Sequence, residues 1–199
     1  MLPEKIYLIN NGEPLVEAWN DVFQDNEVFE AYQDDYFARE ADAMVSPANC
    51  FGVMDGGLDL AIRDHVGYKA EERLKKVIID EYHGELPIGN AVIVETDNAK
   101  WPYLISAPTM RIPMNVSNTL NAYLAFRAIL LAVSKFNQKH DRKVINSIIC
   151  SGLGTGIGQM PPRKCAGQMR VAYSYLSKPA RIPSFDEIHK VHKKLSVII

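Results

Sequence analysis

Two stretches of this 199-residue chain set glycines among polar side chains directly after short apolar runs. The first is Ser46-Pro47-Ala48-Asn49-Cys50-Phe51-Gly52-Val53-Met54-Asp55-Gly56-Gly57-Leu58-Asp59. The second is Ser151-Gly152-Leu153-Gly154-Thr155-Gly156-Ile157-Gly158-Gln159-Met160-Pro161. Glycine permits positive φ and lets a ligand approach the backbone. Successive exposed N–H groups, joined to a helix N-terminus, cradle an anion. Two such loops on one cleft would suit a diphosphate without Lys or Arg. The glycines at 152, 154, 156 and 158 do not fit Gly-x-Gly-x-x-Gly, because Ile157 and Gln159 stand where its last glycine falls. No Gly-Lys followed by Ser or Thr is present, which excludes a P-loop. A structural role stands beside each chemical one: the glycines could serve tight turns, Asn49 could brace its loop, and Asp59 could simply favour a helix dipole.

Other reactive residues give weaker patterns. His189 and His192 are three apart on a helical stretch, but no third ligand is nearby in sequence, and a solvated helix is the expectation. Cys50 has no base placed beside it and reads as a small buried thiol. Arg111, in Ala107–Pro113, could approach an anionic ligand, although an exposed loop charge is the preferred reading. Cys50, Cys150 and Cys165 form an odd set without metal-type spacing, which predicts reduced thiols and a cytoplasmic location.

The elements that must position the loops follow from periodicity. Apolar runs predict strands at Lys5–Ile9, Val28–Tyr32, Ala43–Val45, Ala91–Glu95, Tyr103–Ser106 and Val144–Cys150. Helical spacing predicts helices near Leu15–Phe23, Gly57–Val66, Ala70–Tyr82, Asn118–Asn137, Lys164–Leu176 and Phe185–Leu195. On the longest, Leu120, Leu124, Arg127 and Leu131 share one side, and Tyr123, Leu130 and Val133 broaden its apolar face. Val144–Cys150 carries no charge, as a central strand covered on both faces would. Strands alternating with helices predict a three-layer α/β/α sandwich with a mixed, largely parallel central sheet. Ligands of such sheets sit at the carboxyl ends of the strands. The length suits one domain, with a core at about 28–176, an N-terminal strand–helix addition at 1–27 and a tail at 177–199. A net charge of −2 supplies no cationic excess for nucleic acid. The start, MLPEKIYLIN, has no signal-like apolar stretch, and Arg127 interrupts the longest apolar region. Neither nucleic acid nor a membrane is an expected partner.

Val45-Ser46-Pro47-Ala48-Asn49 resembles the macro-domain signature Val-Asn-Ala-Ala-Asn, and Gly56-Gly57-Leu58-Asp59 resembles the Gly-Gly-Val-Asp that follows it. Gly154-Thr155-Gly156-Ile157 is similar to the family's Ser-Thr-Gly-Ile, and Asp34-Asp35-Tyr36 sits where Gly-Asp-Ile is usual. The likeness spans about Val28 to Leu176. It implies that Asp35 accepts a hydrogen bond from the adenine amine and that the Tyr36 backbone meets the same ring edge. It implies further that Asn49 bonds the distal ribose, that Asp59 lies near that ribose and the diphosphate, and that Gly154, Thr155, Gly156, Ile157 and Gly158 wrap the diphosphate with Gly56 and Gly57 opposite. Three departures accompany it. Val53, Met54 and Asp55 replace part of a longer glycine run, Gly158 stands where an aromatic often follows, and Arg63 replaces a common histidine.

The resemblance implies binding of ADP-ribose or a close derivative, with no metal or other cofactor. Its hydrolytic form would act on mono-ADP-ribosylated protein, O-acetyl-ADP-ribose or ADP-ribose 1″-phosphate, with Asn49 and Asp59 as the catalytic pair. A non-catalytic reader of ADP-ribose and a structural protein with an empty cleft are the alternatives.

Overall fold

The structure, a computed structural model, describes residues 1–197. Its elements are β1 (Lys5–Asn10), α1 (Glu13–Phe23), β2 (Phe29–Gln33), β3 (Ala43–Ser46), α2 (Gly57–Val66), α3 (Tyr68–Tyr82), β4 (Val92–Glu95), β5 (Tyr103–Ser106), α4 (Asn121–Lys139), β6 (Ser147–Cys150), α5 (Pro162–Leu176) and α6 (Phe185–Val197). The strands form one sheet in the order β2-β1-β6-β3-β5-β4. Only β4, paired with β5, runs antiparallel. The architecture is the three-layer, largely parallel sandwich that alternating strands and helices imply.

Period-two alternation divides the strand side chains between two cores. Ala43 and Val45 face the layer of α1, α4 and α5 together with Ile148 and Cys150. Met44 and Ile149 face the layer of α2 and α3. Strands buried on both faces read as continuous apolar runs. β6 illustrates this, enclosed by β1 on one side and β3 on the other. β1 lies inside the sheet between β2 and β6, so the segment read as an N-terminal addition supplies an internal strand.

The long helix corrects the sequence reading. Leu120, Leu124 and Leu131 are only partly buried and Arg127 is exposed. The buried face of α4 is Ala122, Ala125, Phe126, Ala128, Ile129, Leu130 and Val133. Its alanines let α5 approach closely, and small side chains carry too little hydrophobicity to mark that face in a periodicity reading. α6 forms in the tail, where it buries only Leu195. Among the described residues no helix is long and apolar enough to cross a membrane.

One feature of the topology decides where a ligand fits. After β3 the chain passes to the α2/α3 layer, whereas after the adjacent β6 it passes to the α5 layer. A crevice opens at the carboxyl ends of such a pair. The two strands pair only at Ala43–Ile148 and Met44–Ile149. Past that point, the buried Tyr36 hydroxyl donates to the Val45 carbonyl at 2.6 Å and lies 3.1 Å from that of Ile149.

Candidate functional site

A cleft of about 390 Å³ lies over these strand ends. Asn10 and Ser151 form its wall at β1 and β6, and Pro47, Ala48 and Asn49 follow β3. Thr109, Met110 and Pro113 follow β5, and both glycine loops complete the wall. From β1 to β5 is three strand spacings, roughly 14 Å at ~4.8 Å each.

The first loop is held by backbone pairing that continues past the strands. The Ala107 N–H donates to Ser46 O at 3.0 Å, that of Thr109 to Ala48 O at 3.0 Å, and that of Cys50 to Arg111 O at 3.3 Å. Asn49 and Met110 form a parallel bridge. The Asn49 side chain is engaged within its own loop. Its Oδ1 accepts from the N–H groups of Phe51 (3.0 Å) and Val53 (3.3 Å), and its Nδ2 donates to Val53 O at 2.7 Å. Asn49 therefore braces the loop and also lines the cleft. Helix α2 then starts at Gly57, whose φ of +58° requires glycine, with no side chain capping its first turn. Among the described residues, no protein acceptor meets the N–H groups of Gly57, Leu58 or Asp59, and all three residues line the cleft.

The second loop folds back on itself. The N–H groups of Gln159 and Met160 donate to the carbonyls of Gly156 and Gly154, each at 2.9 Å. Those of Thr155, Gly156 and Ile157 have no protein acceptor among the described residues. Gly158 is required by close approach: a Cβ there would collide with the Gly154 carbonyl oxygen and come within 2.7 Å of Val116 Cγ2 and 3.0 Å of Met110 Cε. The Val116 N–H donates to Gly158 O at 2.8 Å. The end of the Met110 side chain lies beside Gly158, in the space that a side chain at that position would need.

Asp59 is the third residue of α2, yet its carboxylate is not spent on the helix end. The buried Ser46 hydroxyl, from the end of β3, donates to Asp59 Oδ1 at 2.5 Å. Oδ2 has no protein partner among the described residues. Burial pushes the Asp59 carboxyl up to about 6; the Ser46 hydrogen bond opposes this and the negative charge of Asp55 adds to it. A carboxyl raised in the folded state takes up a proton in the fold before it does in the unfolded chain. Its contribution is most favourable below pH 4 and is lost as the pH climbs to about 6. Asp59→Asn, which still accepts from Ser46, should therefore raise stability at pH 8 by at most about 3 kcal/mol, the difference vanishing near pH 3. Denaturant titrations at the two pH values measure it, and an Asn variant less stable than wild type at pH 8 would contradict the buried-charge assignment.

The remaining expected residues lie elsewhere. Asp35 is exposed beyond the end of β2, outside the cleft wall; its Oδ1 accepts from the Phe37 N–H at 3.0 Å. Tyr36 is buried beside it with its hydroxyl committed to the strand ends. Arg111 does not line the cleft. It makes two hydrogen bonds with Glu85, at 2.7 and 3.0 Å, over the Phe51 ring. All three cysteines are buried, and burial pushes each thiol up. His189 and His192 are exposed on α6.

Sequence reasoning missed Asn10, Ser46, Ser151 and Thr109 as parts of the wall or its support. Asn10 Nδ2 donates to Ser151 Oγ at 3.3 Å, tying the ends of β1 and β6. One signal could have found three of them: a polar residue at the carboxyl end of an apolar strand.

Comparison with known proteins bears on this geometry. The sequence model of the family described as Macro domain matches residues 45–169. The match begins downstream of Asp35 and Tyr36. A macro domain-containing protein of Caldanaerobacter subterraneus is 30% identical over 164 residues, covering 78% of this chain and 88% of that protein. A variant of the Oceanobacillus iheyensis macrodomain, solved with ADPR, superposes with a TM-score of 0.59 at 14% identity, over 98% of this chain and 94% of that one. Thermosipho africanus DarTG in complex with ADP-ribose gives 0.54 at 18% identity, over 75% of this chain and 41% of that one. At these identities the structural likeness is one of fold.

Proposed function

This chain belongs to the macro domain family, and on that premise we propose that its cleft binds ADP-ribose or a close derivative. The observation that carries the reading is the pair of backbone N–H rows, Gly57–Asp59 and Thr155–Ile157, which line one cleft and have no protein acceptor among the described residues. A diphosphate would accept from both rows, and the helix dipole of α2 adds to its stabilisation. The relatives solved with ADPR and with ADP-ribose support the choice of ligand. In this reading the adenine end lies toward β2 and Asp35, and the distal ribose toward Asn49, Asp59 and Met110. Calorimetry with ADP-ribose tests it. No heat of binding would leave only a structural role for the fold.

Hydrolysis is the further part of the proposal, and the Asp59 geometry favours it over a passive reader. A carboxylate oriented by Ser46, with one oxygen open to the cleft and an acidity near pH 6, suits a group that holds or deprotonates a water. Candidate substrates are mono-ADP-ribosylated protein and small ADP-ribose esters. A non-catalytic reader would keep the same affinity and show no release of ADP-ribose.

Asp35 has an oxygen, Oδ2, with no protein partner among the described residues, so the adenine amine could reach it. Asp35→Ala should weaken ADP-ribose binding by about 1.5–3 kcal/mol, the range for a hydrogen bond to a charged group. Unchanged affinity in the folded variant would remove Asp35 from the site.

A further inference from the structure

Among the described residues the charged side chains on the cleft wall are Asp55 and Asp59, and no Lys, Arg or His lines it. Arg63, Arg111, Arg163 and Lys164 lie on the flanking segments, and none of them lines the cleft. Arg63 of α2 pairs with Asp64 and Glu71, each at 3.6 Å, and stacks over Tyr68. Arg111 is held by Glu85. The wall therefore offers an anion backbone N–H groups and no cationic side chain. Asp55 sits on the loop that leaves β3, and Asp59 in the first turn of α2, which follows that loop. Asp59 is anchored to Ser46 at the end of that strand, and Asp55 is close enough to push the Asp59 carboxyl up.

Resting on the ADP-ribose reading above, we propose that this pair of carboxylates selects the substituent on the distal ribose by charge. The cleft takes ADP-ribosyl groups whose substituent is cationic or uncharged, and rejects an anionic one. The order of preference is a guanidinium-linked group, as on ADP-ribosylated arginine, then a neutral acyl ester, then a phosphate. A further negative charge at this end has no cation on the wall to meet it and faces two carboxylates. Repulsion of this kind discriminates between ligands that share every other contact. A guanidinium at the same place would find carboxylate acceptors suited to its N–H groups.

Competition binding at pH 7.5 with ADP-ribose, ADP-ribose 1″-phosphate and ADP-ribosyl-agmatine reads the order directly. We expect the 1″-phosphate to bind roughly tenfold or more weakly than ADP-ribose, and the agmatine adduct at least as tightly as ADP-ribose. Asp55 is exposed and makes no hydrogen bond among the described residues, so Asp55→Asn should fold normally. In that variant the ratio of phosphate to ADP-ribose dissociation constants should fall by about threefold or more. Equal affinity for ADP-ribose and its 1″-phosphate in the wild type overturns the charge rule alone, as does a ratio unmoved by Asp55→Asn. Failure of ADP-ribose itself to bind overturns the reading on which the rule rests, and the rule with it.

Discussion

Gly156→Glu should abolish ADP-ribose binding while leaving the protein folded. Gly156 lies at the exposed turn of the second loop, and a Cβ built there meets no atom within 4 Å. Its φ is not positive, so a side chain introduces no backbone strain. The turn is closed by its own carbonyl, which accepts from the Gln159 N–H at 2.9 Å, and that bond does not depend on the side chain. What the substitution changes is the charge beside the free N–H groups of Thr155, Gly156 and Ile157. A tethered carboxylate would satisfy them within the protein and repel the diphosphate. The expected loss is on the order of 10²-fold or more, as for a like charge placed in a partly dehydrated anion site. Gly156→Ala is the control for shape, and its affinity should stay within a few-fold of wild type. Circular dichroism checks the fold and calorimetry the affinity. Wild-type affinity in the Glu variant would show that this loop is not the cradle.

Asp59→Ala should cut the release of ADP-ribose from a mono-ADP-ribosylated protein by roughly 10²-fold or more, the contribution of a positioned acid–base group. Its effect on ADP-ribose affinity should be much smaller, because the N–H rows are backbone and remain. The pH profile gives an independent signature. If the ionised carboxylate orients or deprotonates the water, wild-type turnover should rise through pH 6, where the buried carboxyl loses its proton. Ser46→Ala removes the hydrogen bond that stabilises the ionised carboxylate, so this limb should move to higher pH. Equal turnover in wild type and Asp59→Ala would end the catalytic role. Tight binding with no turnover in the wild type would favour a reader for that substrate, and the esters would then be tested in turn.

Much of the scaffold was legible before any coordinates, because its code is local. Strands buried on both faces must be apolar along their whole length, so Val45, Ile105 and Ile149 announce their elements without knowledge of their neighbours. Glycine at a positive φ, as at Gly57, or under a close contact, as at Gly158, leaves a mark that a single sequence displays. The paired loops followed, while any ligand they hold remains the proposal above. The α4 face was read in part: Leu130 and Val133 are buried as expected, but the alanines carry little hydrophobic signal, and the larger Leu120, Leu124 and Leu131 are only partly buried.

Contacts between distant segments depended on the tertiary structure. The hydroxyl of Ser46 reaches Asp59 because β3 and the start of α2 meet at the crevice, and nothing in either residue's surroundings along the chain encodes that meeting. The lowered acidity of Asp59 follows from burial, which belongs to the assembled cleft. Arg63 and Arg111 are ordinary loop and helix cations in sequence; ion pairs with Glu71 and Glu85 hold them away from the cleft wall. Chain composition and local pattern thus determined that two glycine loops would follow the strand ends. The charge of the cleft between them was decided by three-dimensional packing, because electrostatic energy depends on distance and solvent exposure, which a linear sequence does not specify.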